Sequence, residues 1–184
     1  MPRRAVLSDE QRMALLALPD DETTLVQHWT LSEDDLAIIV RRRRPHNRLG
    51  FAIQLCALRY PGRLLRPGEL IPDTPLAFVA EQLQIAPEVL ADYATRGPTR
   101  YEQLDALREG FGFTQFSRPL RAALQEWLLP IALTTTSGAG LARSLLGECR
   151  RRRIIVPGIS SVERMVAQAL LDAERHVAEH LTRG

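Results

Sequence analysis

Ten consecutive residues set the strongest constraint on this chain. From Leu49 to Leu58 the sequence reads LGFAIQLCAL, and Gln54 is its only polar side chain. At 100° per residue, Leu49, Ala52, Ile53 and Cys56 share one helical face, while Phe51, Leu55 and Leu58 occupy another. Polar groups survive in two strips, Arg48 with Arg59 and Asn47 with Gln54. The spacing predicts a helix from about His46 to Tyr60, ended by Tyr60-Pro61-Gly62-Arg63. A helix apolar on most sides belongs at the centre of a core, so other helices must wrap it. Four arginines, Arg41–Arg44, and Pro45 stand directly before it. They are either a surface for a polyanion or a charged preamble to a core helix.

The remaining signals are also helical. Ser8 with Gln11 makes a capping box before RMALLAL, which should stop by Pro19. Ser32 with Asp35 opens EDDLAIIVRRRR, with acids in its first turn and arginines at its end, as the helix dipole favours. Pro45 should close it. Thr74 and Pro75 suit the start of a helix over 75–84, and Pro87 opens another that ends near Thr95–Gly97. Thr99 with Glu102 should cap 100–110, and Ser117 a helix reaching Pro130 or slightly beyond. LARSLLGECRRRR reads as a helix with a basic end. Ser160 with Glu163 should cap the last helix, whose apolar stripe is Val162, Met165, Val166, Ala169, Leu170, Ala173, Val177 and Leu181. No alternating pattern of useful length suggests a strand. The expected class is all-α, a multi-helix bundle with a helix-turn-helix-like C-terminal part. TTTSGAG, residues 134–140, is the candidate linker. It would separate an N-terminal helical DNA-binding unit, 1–133, from a smaller helix-turn-helix-like unit, 141–184.

Charge is segregated along the chain. Residues 8–36 hold eight carboxylates against Arg12 alone, a net of −7. Residues 41–66 hold eight arginines and no acid, a net of +8. Such asymmetry suggests a polyanion-binding face. All 24 basic residues are arginine. Without lysine, a phosphate loop of the GxxxxGK type and a lysine Schiff base are both excluded.

Other enzyme signatures are missing. No GxSxG elbow occurs, and the carboxylates cluster at helix starts where the dipole accounts for them. His176 and His180 are spaced to share a metal, but no HExxH or third ligand lies near. Two solvated histidines are the plainer reading, and a metal hydrolase is a distant third hypothesis. Cys56 and Cys149 sit in apolar helical patterns and read as buried reduced thiols. No apolar run approaches the roughly 20 residues that span a bilayer, and the N-terminus lacks a signal-peptide core. The expectation is a cytoplasmic protein with no catalytic site, no metal or other cofactor and no membrane partner.

Three stretches combine arginine with small polar residues. The first holds Arg41, Arg42, Arg43, Arg44, His46, Asn47 and Arg48, with Arg63 beyond the core helix. The second is Arg96, Thr99 and Arg100. The third runs through Arg150, Arg151, Arg152 and Arg153 to Ser160, Ser161, Arg164 and Gln168, with helix-turn-helix logic: a helix near phosphates, then a capped helix whose outer residues reach base edges. Arginine–guanine and glutamine–adenine pairings supply direct readout, while arginines and hydroxyls hold phosphates. A single arginine run can be a solvated helix end. Three in one chain favour double-stranded DNA. Arg48 and Arg59 have a second reading, pairing with carboxylates of the acidic segment to hold the fold.

The order of several motifs resembles one family. NRLGFAIQLCALRYPGR is followed by FVAEQLQ, YATRGPTRYEQL, GF and VPGISSVERMVAQA, and preceded by LSDEQRMALLALPDD and WTLSEDDLAII. This series is similar to the N-terminal region of Tn-three-type (class II) replicative transposases and covers nearly the whole chain. The resemblance implies binding to terminal inverted repeats. It places strand cleavage in a C-terminal RNase-H-like domain with three metal-binding carboxylates, which this chain does not contain. A homodimer of the full-length protein is a further possibility. The alternative class is a helical interaction or dimerisation module, and an uncovered Val162/Met165/Val166/Leu170 stripe would favour it.

Overall fold

The computed structural model describes residues 6–93 and 97–181, and of residues 97–100 the backbone alone. Among the described residues the regular structure is helical, in the all-α class expected. The helices are α1 (Asp9–Leu15), α2 (Glu22–His28), α3 (Glu33–Ile39), α4 (Pro45–Arg59) and α5 (Asp73–Leu83), then a 3-10 turn (Pro87–Asp92). They continue with α6 (Gly97–Phe111), α7 (Arg118–Ala132), α8 (Gly138–Arg151) and α9 (Ile159–Leu181).

Two compact units divide the chain: a terminal unit, Met1–Ala17 with Gln115–Gly184, and a central unit, Leu18–Thr114. This differs from the break expected at 134–140, which falls inside the terminal unit. There Ser137 Oγ accepts the Gly140 N–H at 3.0 Å and caps α8, so the glycines begin a helix. Gly138 also lets the N-terminal segment pass close, since a Cβ there would lie 2.5 Å from the Val6 carbonyl oxygen.

The central unit is built around α4. All ten residues from Leu49 to Leu58 are buried, as the apolar run requires. The 3-10 turn, α5 and α3 pack against it. Burying each large side chain contributes about 1.5–3 kcal/mol, which explains why α4 carries so little polarity. Gly50 lies under Tyr93, where a Cβ would come within 2.1 Å of the ring. Fully buried Trp29 donates Nε1–H to the Tyr60 carbonyl at 2.9 Å, and its own carbonyl accepts from Gln82 Nε2 at 3.2 Å.

Several boundaries differ from expectation. Helix α3 ends at Ile39, before the arginines, and Pro45 opens α4 instead of closing α3. Proline's missing N–H costs nothing at a first helical position. Residues 22–28, without a clear apolar period, form α2 because the Asp21 carboxylate accepts the Thr24 N–H at 2.8 Å. Helix α5 starts at Asp73, and the segment from Pro87 is a 3-10 turn.

In the terminal unit α7, α8 and α9 pack on one another, and α1 lies against α8. Its core includes Leu124, Leu128, Leu145, Val162, Met165 and Val166. Helix α9 begins one residue before Ser160, and Glu163 binds Arg12 Nε at 2.7 Å instead of closing a capping box. Both capping boxes at Ser8 and Ser32 form as expected.

Candidate nucleic-acid interface

Residues 40–44 make the turn between α3 and α4, and the fold sorts their arginines. Arg48, one turn into α4, donates Nε–H to the Arg42 carbonyl at 2.7 Å and Nη2–H to the Val40 carbonyl at 3.2 Å. One guanidinium thus fixes the backbone of the turn. Arg42 points inward, its guanidinium 4.6 Å from the Phe51 ring centroid. A cation over an aromatic face contributes about 0.5–2 kcal/mol and anchors the turn from its other side. Arg41, Arg43 and Arg44 are exposed, and among the described residues their guanidinium groups meet no partner. The first turn of α4 holds no acid and no side-chain cap; His46 and Asn47 are half-buried there.

Elsewhere in this unit the fold ties two further arginines, Arg59 and Arg63, to carboxylates. Arg59 makes a two-pronged bond to Asp35, at 2.8 and 2.7 Å, as the carboxylate-pairing alternative anticipated. Asp35 is only 3% exposed and also accepts the Ser32 N–H at 2.8 Å. Burial alone would raise its pKa, but the bonds from Arg59 and Ser32 outweigh it and hold the carboxyl below its ordinary value. Arg63 is similarly occupied, 2.9 and 2.6 Å from the two Glu69 oxygens, with a side chain 12% exposed. Both Arg48 and Arg63 therefore serve the fold. Arg96 lies outside the described residues, as do the side chains of Thr99 and Arg100.

In the terminal unit Glu148, 6% exposed, gathers two arginines. Arg151 reaches it at 2.7 and 2.6 Å, and Arg152 at 2.6 Å. Arg151's hydrogen bonds, opposed by burial and aided by Arg152, hold the Glu148 carboxyl down at about 2. The end of α8 is closed by two backbone bonds, Ile154 N–H to the Cys149 carbonyl at 2.8 Å and Arg153 N–H to the Arg150 carbonyl at 3.0 Å. This closure needs a left-handed residue, usually glycine, and Arg153 fills it at φ 52°.

Beyond the turn, Ser160, Arg164 and Gln168 are exposed on α9, and Ser161 is half-buried. Arg164 rests on its own helix, 3.2 Å from the Ser160 carbonyl and 3.3 Å from Ser161 Oγ. Gln168 Nε2 donates to Asp172 at 2.9 Å. Such local, exposed bonds exchange readily for bonds to a ligand. The opposite face is covered, since Val162, Met165 and Val166 are fully buried and Leu170 is half-buried. Thus Arg150–Arg153 and Ser160–Gln168 share one unit, while Arg41–Arg48 belong to the other.

The remaining chemistry is quiet. Burial pushes the Cys56 thiol up to about 12 and the Cys149 thiol to about 11, away from nucleophilic use. His176 and His180 lie side by side on the exposed end of α9, with ring centroids 4.3 Å apart and planes tilted by 38°. Among the described residues no three His, Cys, Asp or Glu side chains could share a metal ion, and no helix is long and apolar enough to cross a membrane. Sequence reasoning passed over Arg118 and Arg121 of α7 and Arg143 of α8. All three are exposed and meet no side-chain partner among the described residues.

Comparison with known proteins places this geometry in context. A family model described as "Domain of unknown function (DUF4158)" matches residues 6–169. The chain is 41% identical over 181 residues to the transposase for transposon Tn21 of Escherichia coli. That match covers 98% of this chain and 18% of the relative. It is 42% identical to the transposase for transposon Tn3926 of the same species, over 99% of this chain and 18% of the relative. To the transposase for transposon Tn501 of Pseudomonas aeruginosa it is 38% identical, over 96% and 18%. The chain thus spans less than a fifth of the length of these relatives.

Proposed function

The chain belongs to the DUF4158 family and matches the N-terminal part of Tn-three-type transposases; from this premise we propose that it binds double-stranded DNA, recognising the terminal inverted repeats of a class II transposon. One observation carries the reading. The fold pairs Arg12, Arg59, Arg63, Arg151 and Arg152 with carboxylates, yet leaves Arg41, Arg43 and Arg44 exposed on a turn that Arg48 and Arg42 hold rigid. Open cations on a braced turn suit a regular polyanion, because little backbone freedom remains to be lost on binding.

In this reading Arg41, Arg43 and Arg44, with His46 and Asn47 beside them, contact phosphates from the central unit. Arg150 and Arg153 do so from the terminal unit, together with Arg151 and Arg152, which Glu148 holds in place. Ser160 at the first turn of α9 holds a phosphate, and Ser161, Arg164 and Gln168 read base edges. Arg96, Thr99 and Arg100 form a second reading element. Strand cleavage is work for a C-terminal domain of a full-length transposase, as the resemblance implies; the DNA contacts proposed here need no cofactor and are made in the cytoplasm. DNase I footprinting on a Tn21-type transposon end tests the proposal. Protection of the terminal repeat, lost when Arg41, Arg43 and Arg44 become glutamine, is expected; cleavage unchanged by saturating protein contradicts it.

A second reading has one favourable observation. The apolar stripe of α9 continues past the core to Val177, 48% exposed, and Leu181, 77% exposed, beside the exposed Leu133 just after α7. These side chains line an open groove with Leu170 and Ala173, which suits a helical partner or a second copy in a full-length homodimer. The rest of the stripe is covered, so DNA binding remains the leading function.

A further inference from the structure

Arg118 and Arg121 belong to no motif, yet the fold places them beside one. Gln125 Nε2 donates to the Met165 carbonyl at 3.0 Å, which sets α7 against α9. Farther along, Ala132 and Leu133 face Leu170 and Ala173 across the groove. The two helices therefore run parallel. Gln125 is seven residues into α7 and Met165 six into α9, so their first turns are level. Helix α8 runs back between those ends, starting where α7 stops and finishing where α9 starts. Arg118 and Arg121 thus stand at the same end of the unit as Arg150–Arg153 and Ser160–Arg164.

Their retention is costly to the free protein. They are exposed like charges one turn apart, a spacing that repels. The first turn of α7 contains no acid, and the helix dipole there is already positive. Neither arginine has a carboxylate three or four residues on, and among the described residues neither guanidinium meets a partner. Helices α1, α2, α3 and α5 begin with acids, whereas α7 shares an acid-free first turn with α4, α6, α8 and α9 and carries two arginines there. Two unneutralised cations beside the basic end of α8 make a surface whose missing component is negative.

We propose that Arg118 and Arg121 are phosphate contacts, which extend the DNA surface of α8 and α9 onto α7. This rests on the DNA-binding function above. Each phosphate neutralised contributes about −0.9 to the slope of log affinity against log salt, so the slope counts contacts. The test is a salt series of fluorescence anisotropy on a fluorescein-labelled duplex, with the full chain, Arg118→Gln/Arg121→Gln and Arg118→Lys/Arg121→Lys. Arg143→Gln, an exposed cation toward the opposite end of α8, is the control. The glutamine pair should make the slope shallower by about 1.8, that is, two contacts at roughly 0.9 each. The lysine pair and Arg143→Gln should keep it, and the glutamine pair's thermal midpoint should not fall. An unchanged slope for the glutamine pair overturns this inference alone. Absence of binding by the unaltered chain overturns the DNA reading and this inference with it.

Discussion

Arg48 Nε donates to the Arg42 carbonyl oxygen at 2.7 Å. One arginine of the basic stretch is thus spent on holding the others in place. Lysine cannot reproduce the fork that reaches both Arg42 and Val40. Arg48→Lys keeps the net charge and should lower stability by about 1–2 kcal/mol, the scale of charge-assisted hydrogen bonds. Urea unfolding measures the loss, and DNA affinity should fall with it although no charge has gone. Equal stability and affinity would mean that the turn does not need its brace.

Gly50 and Gly110 make a matched pair. At Gly50 a Cβ meets the Tyr93 ring at 2.1 Å, whereas at Gly110 it meets nothing within 4 Å. Alanine is the better helix former at both positions by about 1 kcal/mol. Gly110→Ala should therefore stabilise by roughly 0.5–1 kcal/mol, while Gly50→Ala should destabilise by about 1–3 kcal/mol because Tyr93 must move. Thermal melts of the two variants should shift in opposite directions.

Arg153 sets function against stability. A left-handed conformation costs a residue with a Cβ about 1–2 kcal/mol, and glycine escapes that cost. Arg153→Gly should raise stability by about 1 kcal/mol while weakening DNA binding. A glycine variant that binds DNA as tightly as the parent would remove Arg153 from the interface.

Glu148 governs acid tolerance. Its carboxyl is held at about 2 in the folded chain, against 4.5 ordinarily. A lowered folded pKa means that the unfolded chain binds the proton first. The stabilisation is complete above about 4.5 and is lost as pH falls toward about 2. Glu148→Gln should flatten that part of the stability–pH curve when urea unfolding is followed across pH. A curve as steep as the parent's would shift the effect to Asp35 and Glu69, whose carboxyls are also lowered.

What could be read from residues alone was local. The capping boxes at Ser8 and Ser32, and the buried run of α4, depend on neighbours within a few positions. Helix α2 escaped because Thr23, Thr24 and Val26 blur an apolar period, and the Asp21 cap that rescues it is a single hydrogen bond. Pro45 was ambiguous in principle, since proline both ends one helix and begins the next. Glu163 looked like a capping partner but binds Arg12, distant in sequence, and Arg63 looked open until Glu69 closed on it. The terminal unit unites residues 1–17 with 115–184. That union is a packing fact, and the glycines at 138 and 140 resembled a linker because close approach and flexibility select the same residue.

The most direct test is fluorescence anisotropy of the chain on a Tn21-type transposon end and on a scrambled duplex, across a salt series. We expect a steep salt slope on both and tighter binding to the transposon end. Arg164→Ala should narrow that gap by about 1–3 kcal/mol, the discrimination of one base-reading arginine. No binding to either duplex at low salt would contradict the DNA function outright.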